Sequence, residues 1–260
     1  MKEINDLRLL IREFSDNQEI TVYETTELYG EKGLFRVMQF SNQAIQGALD
    51  MNNPQRIVFE YPRAIIHLME ANNPSFEKVF VIGHGIGTIA SHFSEKRFKV
   101  AELDDKVVAL SRRYFGYSQD NVLVGDGRYI LGHEAPGAYD YIILDAFSDK
   151  GTPPHLISRE FFAIAREKLD SQGSILMNLM GKGQNDQLIN AVHTTLGEEF
   201  AYTKSFSLPS EGGADIQNII LIGSNQPILF QLRSMSGFTE IAPRPGYLIR
   251  DRSPHPSAND

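Results

Sequence analysis

Cysteine is absent from all 260 residues. That excludes disulfides, thiolate metal sites and a cysteine nucleophile, and it fits a reducing compartment. Long apolar runs are missing too: no stretch approaches the roughly 18 residues of a membrane-crossing helix. The N-terminus, MKEINDLRLLIREFSDNQEI, carries charges throughout and has no apolar core of the signal-peptide kind. The seven histidines show neither His-x-His nor His-Glu-x-x-His spacing, so no metal is expected. Positive charge is scarce: 25 Lys and Arg stand against 33 Asp and Glu, for a formal net charge of -8. An extended nucleic-acid footprint is therefore excluded. These absences together predict a cytoplasmic protein with no membrane and no nucleic-acid partner.

What is present is a hydrophobic share of 42%, enough for a proper core, in a length that suits one medium domain with a small satellite. Three regions follow one another. Residues 1–55 hold alternating runs, EITVYETTELYG and LFRVMQF, around the pair Tyr29-Gly30, which predicts an N-terminal β-hairpin subdomain. Residues 56–228 open on a connector helix with Pro62 in its first turn, then alternate strand and helix. Strands are expected at KVFVIGHG, FKVAELD, NVLVGDG, YDYIILDAF and GSILMNLM, with helices at IGTIASHFSEK, DKVVALSRRYFG, RYILGHE, SREFFAIAREKLD and QNDQLINAVHTTLGEEF. YTKSFSL and NIILIGS close the series as an antiparallel edge hairpin. This rhythm predicts an α/β fold: a doubly wound, Rossmann-like sheet of the seven-stranded methyltransferase type. Residues 229–260 form a C-terminal extension whose last ten or so residues read as a loose tail.

VFVIGHGIGTIASHF, residues 79–93, carries the first functional signal. Gly83, Gly85 and Gly87 lie between a strand and a helix. Glycine there removes Cβ bulk, and a helix N-terminus offers free N–H groups. The pattern suits a ligand loop or a tight turn without a ligand. Glu102 ends the next strand, 19 residues past Gly83, where a carboxylate can hold ribose hydroxyls. Asp126 and Gly127, in VGDGRYIL, end the third strand, where a carboxylate can take an adenine amino group or simply cap a helix. All of these sit at strand carboxyl ends, the binding edge of open α/β sheets. They point to an adenosine-containing ligand. Thr88 stands where the dinucleotide fingerprint wants its third glycine, so an S-adenosylmethionine-type ligand is favoured.

Asp145 ends the fourth strand, with Asp149 four residues on. Such a carboxylate can attract a cationic amine and take the proton that amine loses on attack. It can equally anchor a loop. His84 and His155 lie near these elements, as a loop residue and as part of a loop over the site. Phe147, Phe161 and Phe162 read as core or lid packing.

These segments together resemble the spermidine synthase family of polyamine aminopropyltransferases, over residues 19–224. EITVYETTELYG resembles the family's opening hairpin and NQAIQGALD its glutamine segment, so that Gln46 matches the family glutamine. Tyr61 matches the tyrosine of the "YHE" motif, VFVIGHGIGT the "GGGDG" loop, and YDYIILDAFSD the catalytic stretch. The resemblance implies a class I methyltransferase fold and a co-substrate that is S-adenosylmethionine or its decarboxylated form. It implies aminopropyl transfer to an amine, with Asp145, Tyr61 and Gln46 at the catalytic end, and a homodimer. Four positions differ. Ile86 replaces the loop aspartate, Asn42-Gln43 the "DG" pair, Arg63 the glutamate of "YHE", and Ser148 or Asp149 occupies the place of a second aspartate. Ile86 and Arg63 disfavour a carboxyl-free donor and a polycationic acceptor. They leave open a small-molecule methyltransferase and a non-catalytic nucleoside-binding relative.

Overall fold

The structure is a computed structural model, and it describes residues 7–15, 18–41, 45–147, 151–182, 186–209 and 216–252. The first strands, β1 (Arg8–Phe14), β2 (Glu19–Leu28), β3 (Glu31–Phe40) and β4 (Ile45–Asp50), form a four-stranded antiparallel meander. Alternation puts the buried Ile20, Val22 and Met38 on one face and the buried Phe35 and Val37 on the other. Tyr29 and Gly30, with φ of 49° and 80°, make the two-residue turn between β2 and β3. Positive φ at both positions matches the right-handed twist of the hairpin.

Helix α1 (Glu60–Asn72) follows, with Pro62 in its first turn. The second sheet uses β5 (Lys78–Ile82), β6 (Arg97–Glu102), β7 (Val122–Val124), β8 (Tyr139–Leu144), β9 (Leu169–Gly181), β10 (Tyr202–Ser207), β11 (Gln217–Ser224) and β12 (Thr239–Ile241). Their spatial order is β12-β10-β11-β9-β8-β5-β6-β7. The pairs from β9 through β7 are parallel, and β11 and β12 run antiparallel to their neighbours. Helices α2 (Thr88–His92), α3 (Asp105–Phe115), α4 (Gly127–Gly132), α5 (Arg159–Lys168) and α6 (Gln187–Gly197) supply the crossovers. Parallel strands covered on both faces need continuous apolar runs, which KVFVI and YDYIIL supply. One core cluster centres on Phe76, Tyr141 and α1, the other on Phe80, Phe161 and Phe162. A third joins the N-terminal sheet to α3 through Ile20, Met38, Ile86, Val107 and Leu110.

Three sequence expectations are corrected. The sheet has eight strands, not seven, because β12 pairs with β10. The β10–β11 hairpin therefore sits inside the sheet and not at its edge. The helix expected over IGTIASHFSEK is confined to Thr88–His92. Phe93 leaves the helix to pack against Phe76 and Phe98, at ring separations of 5.0 and 6.3 Å. The loose tail falls on 253–260, outside the described residues. Before it the chain is tied down: the N–H groups of Arg244, Gly246 and Ile249 donate to Asn190, Thr194 and Thr195 of α6.

Candidate active site

Strands β5 and β8 are parallel neighbours whose following connections leave in opposite directions, to β6 and to β9. That divergence opens a crevice at their carboxyl ends. A cavity of about 480 Å³ lies there. Its wall combines the loop 83–87, the end of β8 with Asp145 and Phe147, the end of β9 with Asn178, and the first turn of α1 with Phe59, Glu60 and Tyr61. Gln46 and Tyr29 reach it from the N-terminal sheet. The two sheets thus share one cavity.

Backbone contacts fix the loop. A Cβ on Gly83, at φ 96°, would fall 2.0 Å from the Asp145 carbonyl oxygen. One on Gly85 would meet the Gln46 carbonyl at 2.9 Å. These glycines let the loop press against β8 on one side and β4 on the other. Gly87, at φ 79°, is the N-cap of α2. Glu102 braces the loop from behind: its carboxylate accepts the N–H of His84 at 2.8 Å and of Asp104 at 3.0 Å. Burial raises the Glu102 pKa against those bonds. Ile86 is 8% exposed and packs toward the N-terminal sheet, where a Cβ on Gly47 would collide with it at 2.6 Å.

Asp145 begins just past β8, and its N–H donates to the Ile82 carbonyl at 2.8 Å. Its carboxylate accepts Asn178 Nδ2–H at 2.9 Å and the Tyr61 hydroxyl. Burial raises its pKa above the usual carboxylate value, and the two hydrogen bonds oppose the rise without cancelling it. Tyr61 is pushed well above its ordinary value by burial and by the Asp145 charge, so it stays a neutral donor. A partly desolvated carboxylate held by two donors, on the wall of a cavity of mixed polar and apolar lining, suits a cation that also gives up a proton.

Of the residues expected from sequence, Gly83, Gly85, Gly87, Gln46, Tyr61 and Asp145 come together on this wall, with His84. Glu102 stands behind the loop. Asp126 lies elsewhere: one oxygen caps α4 by accepting Tyr129 N–H at 2.7 Å, and the other meets His155 Nε2 at 2.9 Å. Gly127 is buried against Ile82. Arg63 is off the wall and reaches back to Glu60 at 3.1 Å. The charge it would have turned on a bound cation is thus partly neutralised. Phe161 and Phe162 are fully buried in the core, whereas Phe147 lines the cavity. Asn42, Gln43, Ser148 and Asp149 lie outside the described residues.

Sequence reasoning missed Glu60, Phe59 and Asn178. Asn178 was detectable as the polar residue that interrupts the apolar run ILMNLM at a strand's binding end. Glu60 had no such signal, since a carboxylate in a helix first turn ordinarily serves the dipole. Among the described residues no group of three or more His, Asp or Glu is placed to hold a metal ion, and no helix is long and apolar enough to cross a membrane.

Comparison with known proteins agrees with this architecture. The family model "Spermine/spermidine synthase domain" matches residues 58–209, more than half of the chain. The polyamine aminopropyltransferase of Vibrio vulnificus is 29% identical over 222 residues, covering 78% of this chain and 73% of that protein. Putrescine N-methyltransferase 1 of Nicotiana tabacum is 28% identical over 179 residues, covering 65% of this chain and only 44% of the tobacco enzyme. A crystal structure of a probable spermidine synthase from Corynebacterium glutamicum superposes with a TM-score of 0.73 at 22% identity, over 87% of this chain and 83% of that one. By its family match, its two-sheet architecture and the glycine loop facing Asp145, this chain belongs to the spermine/spermidine synthase family.

Proposed function

We propose that this protein is an aminopropyltransferase of polyamine biosynthesis. It binds decarboxylated S-adenosylmethionine as co-substrate, with residues 56–228 as the nucleoside-binding unit, and transfers the aminopropyl group to a small amine acceptor. The observation that carries the reading is Asp145, held by Tyr61 and Asn178 on the cavity wall beside the glycine loop. Gly83, Gly85 and Gly87 shape the donor loop. Glu102 keeps spare lone pairs for the ribose; Asp126, next to Gly127, meets the adenine only if it gives up its contact with His155. Gln46 and Glu60 line the acceptor side.

The amine nitrogen attacks the methylene carbon bonded to the sulfonium. A nitrogen–carbon bond forms, the carbon–sulfur bond breaks, and its electron pair neutralises sulfur to give methylthioadenosine. The leaving group needs no acid, so the proton lost by the amine is the only one to place. Asp145 takes it, and the cavity supplies alignment. The family resemblance also supports a homodimer and an intracellular setting. Purified protein with decarboxylated S-adenosylmethionine and putrescine should release methylthioadenosine; absence of product across a panel of diamines would reject the reading.

One observation favours a second reading, methyl transfer. Ile86 turns an apolar side chain where the family loop keeps a carboxylate, and a donor retaining its own carboxylate tolerates that better. Calorimetry separates the two: tighter binding of the decarboxylated donor supports aminopropyl transfer, and tighter binding of S-adenosylmethionine supports methyl transfer.

The raised pKa of Asp145 also predicts a pH profile. The base must be ionised, and burial keeps it protonated at pH values where an ordinary aspartate, near pKa 3.9, is already charged. The acid limb of kcat/KM should therefore lie above that value. Asn178→Leu removes a hydrogen bond that favours the charged form, so the limb should move to higher pH. An unmoved limb with a uniformly lower rate would mean that Asn178 serves packing alone.

A further inference from the structure

The cavity wall carries a second carboxylate besides Asp145. Among the described residues, that wall has two acids, Asp145 and Glu60, and no lysine or arginine. The two acids differ in setting. Asp145 is held inside by Tyr61 and Asn178. Glu60 lines the same cavity with its side chain 47% exposed, which puts it at the mouth. A wall with two negative charges and no positive one complements a ligand with two positive charges.

A row of rings links the two acids. Tyr29, 79% exposed, meets Phe59 edge-on at 6.2 Å, and Phe59 stacks on Tyr61 at 6.4 Å. All three line the cavity. The inner end of the row is tied to Asp145 through the Tyr61 hydroxyl. At the outer end burial raises the Tyr29 pKa, and the Glu60 charge raises it further. Such rings offer apolar surface to a methylene chain and π faces to a cation.

The fold sets the place of Glu60. It is the first residue of α1, directly after the N-cap Phe59. An acid in a first turn complements the helix dipole. Its ion pair, from Arg63 Nη2 to Oε1 at 3.1 Å, is an exposed contact that adds little stability. Neither role requires Glu60 to line the cavity, and the ion pair uses Oε1 alone. The resembling motif keeps its acid at the position of Arg63, so Glu60 is a carboxylate that the resemblance does not supply.

We propose that Glu60 holds the non-reacting ammonium of an α,ω-diamine whose other nitrogen is placed at Asp145, which makes Glu60 a specificity-determining residue for diamines over monoamines. The inference rests on the proposed acceptor site. The proton balance supports it. The attacking nitrogen gives its proton to Asp145, whereas the far nitrogen stays protonated throughout and needs an anion that is not consumed.

The test is calorimetric titration of the full chain, preloaded with methylthioadenosine. The two titrants are putrescine and n-butylamine, the monoamine of the same length. Glu60→Gln should weaken putrescine binding roughly 5- to 20-fold, the lower part of the range for a charged hydrogen bond because the site is half in solvent. It should leave n-butylamine within about twofold of wild type, with methylthioadenosine affinity and melting temperature unchanged. Arg63→Gln keeps the carboxylate and removes its cationic neighbour, so it should bind putrescine at least as tightly as wild type. Unchanged putrescine affinity in Glu60→Gln, or an equal loss for both amines, would overturn the proposal. A loss in Arg63→Gln as large as that in Glu60→Gln would do the same, by assigning both residues to the helix end. Equal wild-type affinities for the two amines would remove the Glu60 anchor and leave the acceptor site standing. Failure of the wild type to bind either amine would remove both. The readout is binding of the acceptor, so it holds whichever group the protein transfers.

Discussion

Asp145→Asn should lower kcat by about 10²- to 10⁴-fold, the usual range for removing a positioned base, while donor affinity stays within a few-fold. The amide fits the same space: its oxygen can still accept from Asn178, and its NH2 can donate to the Tyr61 hydroxyl oxygen. It cannot take the amine's proton. On the proposed reading the donor is held by the loop 83–87 and not by the Asp145 carboxylate, so its binding should change little. The same variant should be at least as stable as the parent at neutral pH. The sign follows from linkage. A carboxylate whose folded pKa is raised above the unfolded value costs stability once pH exceeds the unfolded pKa. A neutral isostere removes that cost. Lost turnover with an unchanged or raised melting temperature is the signature of a functional charge held against the interests of the fold. A fall in stability together with activity would instead place Asp145 among the structural anchors.

Much of the fold was legible because its signals are local and periodic. The apolar runs KVFVI and YDYIIL end in a glycine loop and an aspartate, and strand-end placement then assembled Gly83, Gly85, Gly87 and Asp145 before any coordinates. The α3 helix shows the same legibility at its ends: Asp104 caps it by accepting Lys106 N–H, and Gly116 closes it at φ 73°. What escaped depends on long-range packing. β12 is three residues long and exists only because β10 offers an open edge. α2 is cut short by the pull of Phe93 into the core. Asp126 has both oxygens engaged by its own helix and by His155, a pairing between residues 29 apart that no spacing rule contains. The meaning of Arg63 was inverted for the same reason: it faces Glu60, not the cavity.

Ile86 is where sequence comparison and packing give opposite advice, and Ile86→Asp decides between them. Comparison treats Ile86 as a lost carboxylate, so that aspartate would restore donor binding. The structure treats it as the peg between two sheets. Ile86 is 8% exposed, shares a cluster with Ile20, Val22, Met38, Phe40, Val107 and Leu110, and fits against Gly47, whose missing side chain makes room for it. Removing the bulk of a buried isoleucine costs about 2–5 kcal/mol, and placing a carboxylate in an apolar cluster adds to that. Ile86→Asp should therefore lower the melting temperature by on the order of 10 °C, taking roughly 2–4 °C per kcal/mol for a chain of this size. Ile86→Val should cost only about 0.5–1.5 kcal/mol. Because the loop, β4 and the acceptor wall share this contact, the aspartate variant should also lose donor affinity. If the aspartate variant instead melts like the parent and binds decarboxylated S-adenosylmethionine more tightly, the peg is dispensable. The carboxylate would then reach the ammonium of the donor from within the loop.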